Sequence, residues 1–349
     1  MSLRYDALVL GAGQAGLATA YHLQRRGLQF QVLEAGHRPV GSWPLHYRSL
    51  KLFSPARHAA LPGLPFPGDP ERYPSRDEVV AYLNAYAAHF RFPVVTEAEA
   101  TQILPDDGGF RVLTADGRTF LSRTVVAATG TFRRPFIPAV PGQELFGGTV
   151  LHSLAYQEPS PFTGQRVLVG AGNSAVQIAV ELAQVARVTL AVRTPVLFAP
   201  QRILGRDIHD WITWLRVDQL TLGHIRRLPS PRNVFDPGLY RTAFRLGQLD
   251  QRAMFLQFTA QGVVWPDGQE EAVDTVVFAT GYRADLDFLR GTGALDSQGE
   301  PVQRLGVSRT VPGLYFAGLS GQRALASATL RGAGQEAALV VEQIARGQP

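Results

Sequence analysis

No cysteine occurs anywhere in the 349 residues. That absence excludes a disulfide framework, a thiolate nucleophile, a CxxC redox pair and a cysteine-built zinc site. Lysine is almost missing too, since Lys51 is the only one among 34 basic residues. The formal charge of +5 therefore rests on arginine, which suits fixed recognition of phosphate. A polybasic tail or stripe is lacking; the densest basic spot, His224-Ile225-Arg226-Arg227, reads as solvated surface, and nucleic acid is not an expected partner. The eight histidines include no pair at HxH, HxxH or HxxxH spacing, so no metal site is signalled. The uncharged run from Ala7 to Gln24 is broken by three glycines, two glutamines and a histidine, and no signal-peptide layout precedes it. It predicts neither a membrane span nor export, and the expectation is a cytoplasmic protein.

The length is enough for two domains, each with its own core. Asp6 to Leu10 reads as a buried strand that ends in Gly11-Ala12-Gly13-Gln14-Ala15-Gly16, followed by a helical run to about Arg26 and a second strand, Phe30 to Leu33, closed by Glu34. This is the dinucleotide fingerprint in its strand–loop–helix–strand setting. It recurs: Arg166 to Gly170 leads into Gly170-Ala171-Gly172-Asn173-Ser174-Ala175, a helical run to about Val185, and a strand Val188 to Val192 that ends in Arg193-Thr194. In both copies the strand-end residue lies 18 positions after the last small residue of the motif. Glu34 can accept hydrogen bonds from both ribose hydroxyls of an adenosine, whereas Arg193 can pair with a 2′-phosphate. The first copy is thus expected to hold FAD and the second NADPH, with a plain surface role for Arg193 as the alternative.

A second repeat supports the pairing. Val125 to Thr129-Gly130 and Val276 to Thr280-Gly281 each read as a strand running into a glycine turn, and each follows a hairpin signal, Asp116-Gly117 and Asp267-Gly268. A helix is expected over about 76–89, with Ser75 and Glu78 as its capping box. The tail from Val311 to Gly318 reads as a strand with a turn before it, Gly321 opens a loop, and a long helix over about 326–345 follows whose start would face the flavin. The fold class is α/β, with two Rossmann-type dinucleotide-binding domains: residues 1–155 plus 275–349 for FAD, and 156–274, inserted, for NADPH.

These motifs carry a resemblance to the flavin-containing monooxygenases, which use FAD, NADPH and dioxygen. Phe146-Gly147-Gly148 through His152 to Tyr156 is similar to the family's FxGxxxHxxx(Y/F) pattern; Baeyer–Villiger relatives end in Trp-Pro or Trp-Asp, where this chain has Tyr156-Gln157. Thr129-Gly130 followed by Pro135, Pro138, Pro141 and Gly142 resembles the family's proline-spaced connector. In relatives the tryptophan of the stretch Gly41-Ser42-Trp43 packs on the flavin, and the stretch Leu50-Lys51-Leu52-Phe53-Ser54-Pro55 runs beside its ring. Better-known members carry an asparagine where this alignment has Phe53, which neither donates nor accepts a hydrogen bond. Disulfide-reductase relatives have Gly-Asp where this chain has Gly318-Leu319.

The resemblance implies transfer of one oxygen atom from dioxygen, through a flavin C4a-hydroperoxide, to a soft nucleophile such as an organic sulfide or amine. His152 is expected to orient the domain junction, and no protein side chain is assigned a catalytic role. An NADPH oxidase or quinone reductase, kept open by Phe53, and a non-catalytic NADPH-sensing flavoprotein are the alternatives. The amphipathic run Asp207 to Leu215 is compatible with a lid, a homodimer contact or core, and His209 within it has no evident partner.

Overall fold

The computed structural model describes residues 4–170, 172–216, 233–236 and 238–347. The basic spot at His224 to Arg227 lies outside them. Two parallel sheets organise the chain. In the first, Arg4–Leu10 lies at the centre, with Phe30–Leu33 and then Val94–Val95 on one side and Thr119–Ala127 on the other. These strands read as continuous apolar runs because helices cover them. The strand Leu314–Phe316 adds in parallel beyond Thr119–Ala127, and the C-terminal helix Leu330–Arg346 shares a core with the first helix, Gln14–Arg25. The first unit is therefore built from both ends of the chain.

The second sheet runs Asp250–Ala253, Arg187–Val192, Arg166–Gly170, Thr275–Phe278, Thr149–His152, all parallel. Its helix is Asn173–Leu182. This order corrects the boundaries read from sequence. Residues 149–152 and 275–278 were assigned to the first unit, yet they pair with each other, and 275–278 pairs in turn with Arg166–Gly170 of the second. Both expected hairpins form, with Gly117 and Gly268 at positive φ in their turns.

Between the units the chain crosses twice, and the crossings pair with each other: Arg134–Pro135 lies antiparallel to Tyr282–Arg283. Phe136 donates from its backbone to Gly281 at 3.0 Å, and the Thr280 hydroxyl donates back to the Phe136 carbonyl. The predicted capping box forms at Arg76–His89, where Ser75 accepts from Glu78 and the Glu78 carboxylate accepts from Ser75. Those bonds, that of the Ser75 backbone first, hold the Glu78 carboxyl below its ordinary range. The same turn anchors residues 50–52: Leu52 donates to Pro74 at 2.8 Å and Arg76 to Leu50 at 2.9 Å. Ser75→Ala is expected to cost about 1 kcal/mol in stability, read as a lowered urea midpoint at unchanged m-value.

The C-terminal helix starts at Leu330, four residues later than the sequence reading. Ser327 bonds to Ala324, and Thr329 accepts from Gly332 as its N-cap, so the preceding residues turn instead of coiling. Among the described residues no helix is long and apolar enough to cross a membrane.

Candidate active site

A cavity of about 860 Å³ opens between the two units. Its floor is the first glycine loop, where Gly11, Gly13, Gln14 and Ala15 line it. The three glycines have separate reasons. Gly11 has φ +100°, and a Cβ there would stand 2.7 Å from the Ala128 carbonyl oxygen. At Gly16, which lies behind the loop and outside the cavity, a Cβ would sit 1.8 Å from the Gly11 oxygen, so glycine lets helix and loop touch. Gly13 differs: a Cβ would meet only Gly41 Cα, at 3.7 Å, because that side faces open space. Gly13 is also the N-cap of the first helix and leaves its end without a side-chain cap. A bare helix N-terminus with a side-chain-free approach is a phosphate-binding geometry.

Glu34 stands at the end of Phe30–Leu33, buried, and lines the same cavity. One carboxylate oxygen accepts from the Ala12 backbone at 2.6 Å and the other from Gly36 at 2.8 Å. Each oxygen keeps a further lone pair. Ser42, Trp43, Leu52, Phe53, Thr129, Gly130 and Gly318 complete the first unit's share of the predicted lining. The Trp43 indole donates to the Gln14 side chain at 2.8 Å, and that amide donates to the Ala328 carbonyl at 3.3 Å. Gly318, at φ +82°, leaves a Cβ only 2.6 Å from Ala15 Cβ, which explains the glycine. Thr329 and Leu330 bring the start of the C-terminal helix to the wall.

From the second unit, Asn173 and Ser174 reach the cavity at the start of their helix, whose N-cap is Gly172 at φ +139°. Gly170 lies in the strand behind and does not line it; Ala171 is outside the described residues. Arg193 and Thr194 are exposed just past the strand Arg187–Val192, off the cavity, and among the described residues neither side chain has a hydrogen-bond or ion-pair partner. Thr280 and Gly281 sit in the inter-unit crossing instead of the cavity wall. His152 is buried beside them: its Nε2 lies 3.0 Å from the Gly281 carbonyl, and its Nδ1 accepts from the Leu154 backbone at 3.1 Å. That pair of bonds fixes the neutral tautomer with the proton on Nε2. Burial lowers its pKa against the pull of the Gly281 bond, so it braces the junction uncharged.

Several lining residues carried no sequence signal. His46 meets Trp43, Phe132 and Tyr282 edge-on at ring distances of 6.0–6.1 Å. Burial first, then Arg76 and His152, pushes its pKa down to about 4. Tyr47, also on the wall, donates to Gln177 of the second unit at 2.8 Å, and burial raises its pKa. Glu181 accepts from Ser49 at 2.7 Å and Tyr156 at 2.8 Å, zipping residues 47–49 to the second unit's helix. His209, expected to be without a partner, donates through Nδ1 to the Asp207 carboxylate at 2.8 Å.

Comparison with known proteins gives a consistent picture. The family model described as pyridine nucleotide-disulphide oxidoreductase matches residues 8–216. An uncharacterized oxidoreductase, CzcO-like, of Geobacillus kaustophilus is 33% identical over 347 residues, covering 97% of this chain and 98% of that one. Indole-3-pyruvate monooxygenase YUCCA1 of Oryza sativa is 32% identical over 326 residues, 83% of this chain and 80% of its own. Among solved structures, a flavin monooxygenase variant from Stenotrophomonas maltophilia superposes with a TM-score of 0.88 at 33% identity, covering 99% of both chains. In that variant arginine and threonine replace glutamine and histidine at its own positions 193 and 194.

Proposed function

Because this chain belongs to the flavin-containing monooxygenase family and is a flavin-dependent oxidoreductase, we propose that it consumes NADPH and dioxygen to oxygenate a soft nucleophile. Membership implies FAD and a nicotinamide dinucleotide. The observation that carries the finer reading is one cavity of about 860 Å³ faced by both helix starts, Gly13–Gln14 from one unit and Asn173–Ser174 from the other. That volume lies in the upper part of the roughly 300–1,000 Å³ range of ligand pockets.

The residues fit the cofactors. The open side of Gly13 admits a pyrophosphate to the first helix, and the spare lone pairs of Glu34 suit the ribose hydroxyls of FAD. Asn173 and Ser174 suit the second pyrophosphate, and the unpaired Arg193, with Thr194, suits the 2′-phosphate of NADPH. The arginine–threonine pair introduced into the Stenotrophomonas enzyme is native here. When bound, the flavin accepts hydride from the nicotinamide and activates dioxygen.

The protein's task is then to orient and to exclude water. Trp43, held by Gln14, walls one side, and Phe53, 41% exposed, walls another. The start of the C-terminal helix places a positive dipole end at the wall, where it favours negative charge on a reduced ring. With a sulfide the balance is NADPH, a proton, dioxygen and sulfide giving NADP⁺, sulfoxide and water. Without oxygen transfer, NADPH, a proton and dioxygen give NADP⁺ and hydrogen peroxide. Phe53 offers no hydrogen bond to the reacting centre, and this favours the peroxide-forming oxidase as the second reading.

Anaerobic bleaching of the flavin by NADPH, then mixing with dioxygen and methyl phenyl sulfide, decides between them. Stoichiometric sulfoxide supports oxygenation, peroxide alone supports the oxidase, and no bleaching sinks both. Phe53→Ala is expected to admit water and raise the peroxide yield per NADPH by about threefold or more. An unchanged yield would remove Phe53 from the reacting face.

A further inference from the structure

The stretch from Gln201 to Asp210 leaves the second unit and packs on residues 53–73 of the first. At its centre Asp207 is fully buried, at 0% exposure. One carboxylate oxygen accepts from the His209 backbone and contacts His209 Nδ1, both at 2.8 Å. The other accepts from Gln201 Nε2 at 2.9 Å and from the Tyr73 hydroxyl at 2.5 Å. Burial alone would push this carboxyl up, but the bonds from His209, Tyr73 and Gln201 outweigh it and hold it well below the usual carboxylate range. Capping the short helix Ile208–Trp214 needs only the His209 backbone bond.

Two of the other partners lead to one place. The Gln201 amide nitrogen that donates to Asp207 also donates to the Phe53 carbonyl, at 3.0 Å. The His209 ring lies 5.8 Å from the Phe53 ring at 31°, and Phe235 stacks on Phe53 at 6.3 Å and 28°. Phe53 is thus held by its backbone through Gln201 and by its ring through His209, and Asp207 orients both holders. We infer that Asp207 is a positioning residue: it fixes Phe53 at the cavity wall and so sets how turnover divides between oxygenated product and peroxide. The second half of this inference rests on the oxygenase reading above; the first does not.

Asparagine in place of Asp207 offers one acceptor oxygen and one donor group, so donors would face a donor on one side or the other. Gln201→Met cuts the same link independently by removing the shared amide. Tyr73→Phe removes a hydroxyl that bonds to Asp207 and neighbours Gln201 but leaves both holders of Phe53, Gln201 and His209, in place, and serves as the control. In full-length protein carrying 4-fluorophenylalanine at residue 53, a single fluorine NMR resonance is expected, with Tyr73→Phe preserving it. Asp207→Asn and Gln201→Met are expected to broaden or split it. In the flavin-loaded protein, with methyl phenyl sulfide as probe, the same two variants are expected to raise the peroxide-to-sulfoxide ratio at least about threefold, while anaerobic reduction by NADPH stays within about twofold.

A resonance unchanged in both variants overturns the positioning role, and so does an equal disturbance by Tyr73→Phe. A disturbed resonance with an unchanged ratio overturns the functional half. Failure of NADPH to bleach the unsubstituted protein defeats the oxygenase reading, and with it that half, but leaves the fluorine result standing.

Discussion

Gly13→Val is expected to yield a folded but colourless protein. The backbone at Gly13 has φ −74°, open to any L-residue, and its missing side chain points into the cavity with nothing closer than 3.7 Å. The backbone therefore accepts a Cβ at this position, and the loss of cap preference costs about 1 kcal/mol. For a domain of this size that lowers the thermal midpoint by about 2–4 °C. The valine methyl groups, however, occupy the approach of the pyrophosphate to the helix end, so flavin content is expected to fall below about a tenth of wild type. Absorbance of the purified protein and a circular-dichroism melt measure the two effects. Yellow protein with full flavin content would show that the first glycine loop is not the flavin site. Gly16→Ala makes the contrast: its Cβ would lie 1.8 Å from a backbone oxygen, so fold and flavin are expected to be lost together.

Arg193→Ala is expected to separate the two nicotinamide dinucleotides. The side chain has no partner among the described residues, so its removal breaks no contact among them. A charge-assisted hydrogen bond to phosphate contributes about 1.5–3 kcal/mol. KM for NADPH should therefore rise roughly tenfold to a hundredfold, and that for NADH by less than about twofold. Steady-state kinetics with both cofactors measures this. Equal effects would make Arg193 an ordinary surface residue.

What could be read from the sequence was whatever local chemistry dictates. The glycine loops, the strands entering them, the Ser75–Glu78 cap and the two hairpins each follow from residues within a short window. The strands Thr149–His152 and Thr275–Phe278 were assigned to the wrong unit because their partnership spans more than a hundred residues, and no short-range pattern encodes it. Likewise His46, Phe132 and Tyr282 come from three segments far apart in the chain, so their shared aromatic wall has no periodicity to detect. The run Asp207 to Leu215 showed a helical pattern, but the bonds of Asp207 to Tyr73 and, through Gln201, to Phe53 are contacts that only the folded chain creates.

The placement of Leu314–Phe316 beside Thr119–Ala127 has a consequence for synthesis on the ribosome. On the outer flank of Thr119–Ala127, residues 119–122 pair at once with the neighbouring Gly109–Thr114, but residues 125–127 wait for Leu314–Phe316, which is made only after the whole second unit. Until then that short apolar edge is open to misplaced pairing, whereas the second sheet has all its strands once Thr275–Phe278 is made. The arrival of Leu314–Phe316 is what seals that edge of the first sheet.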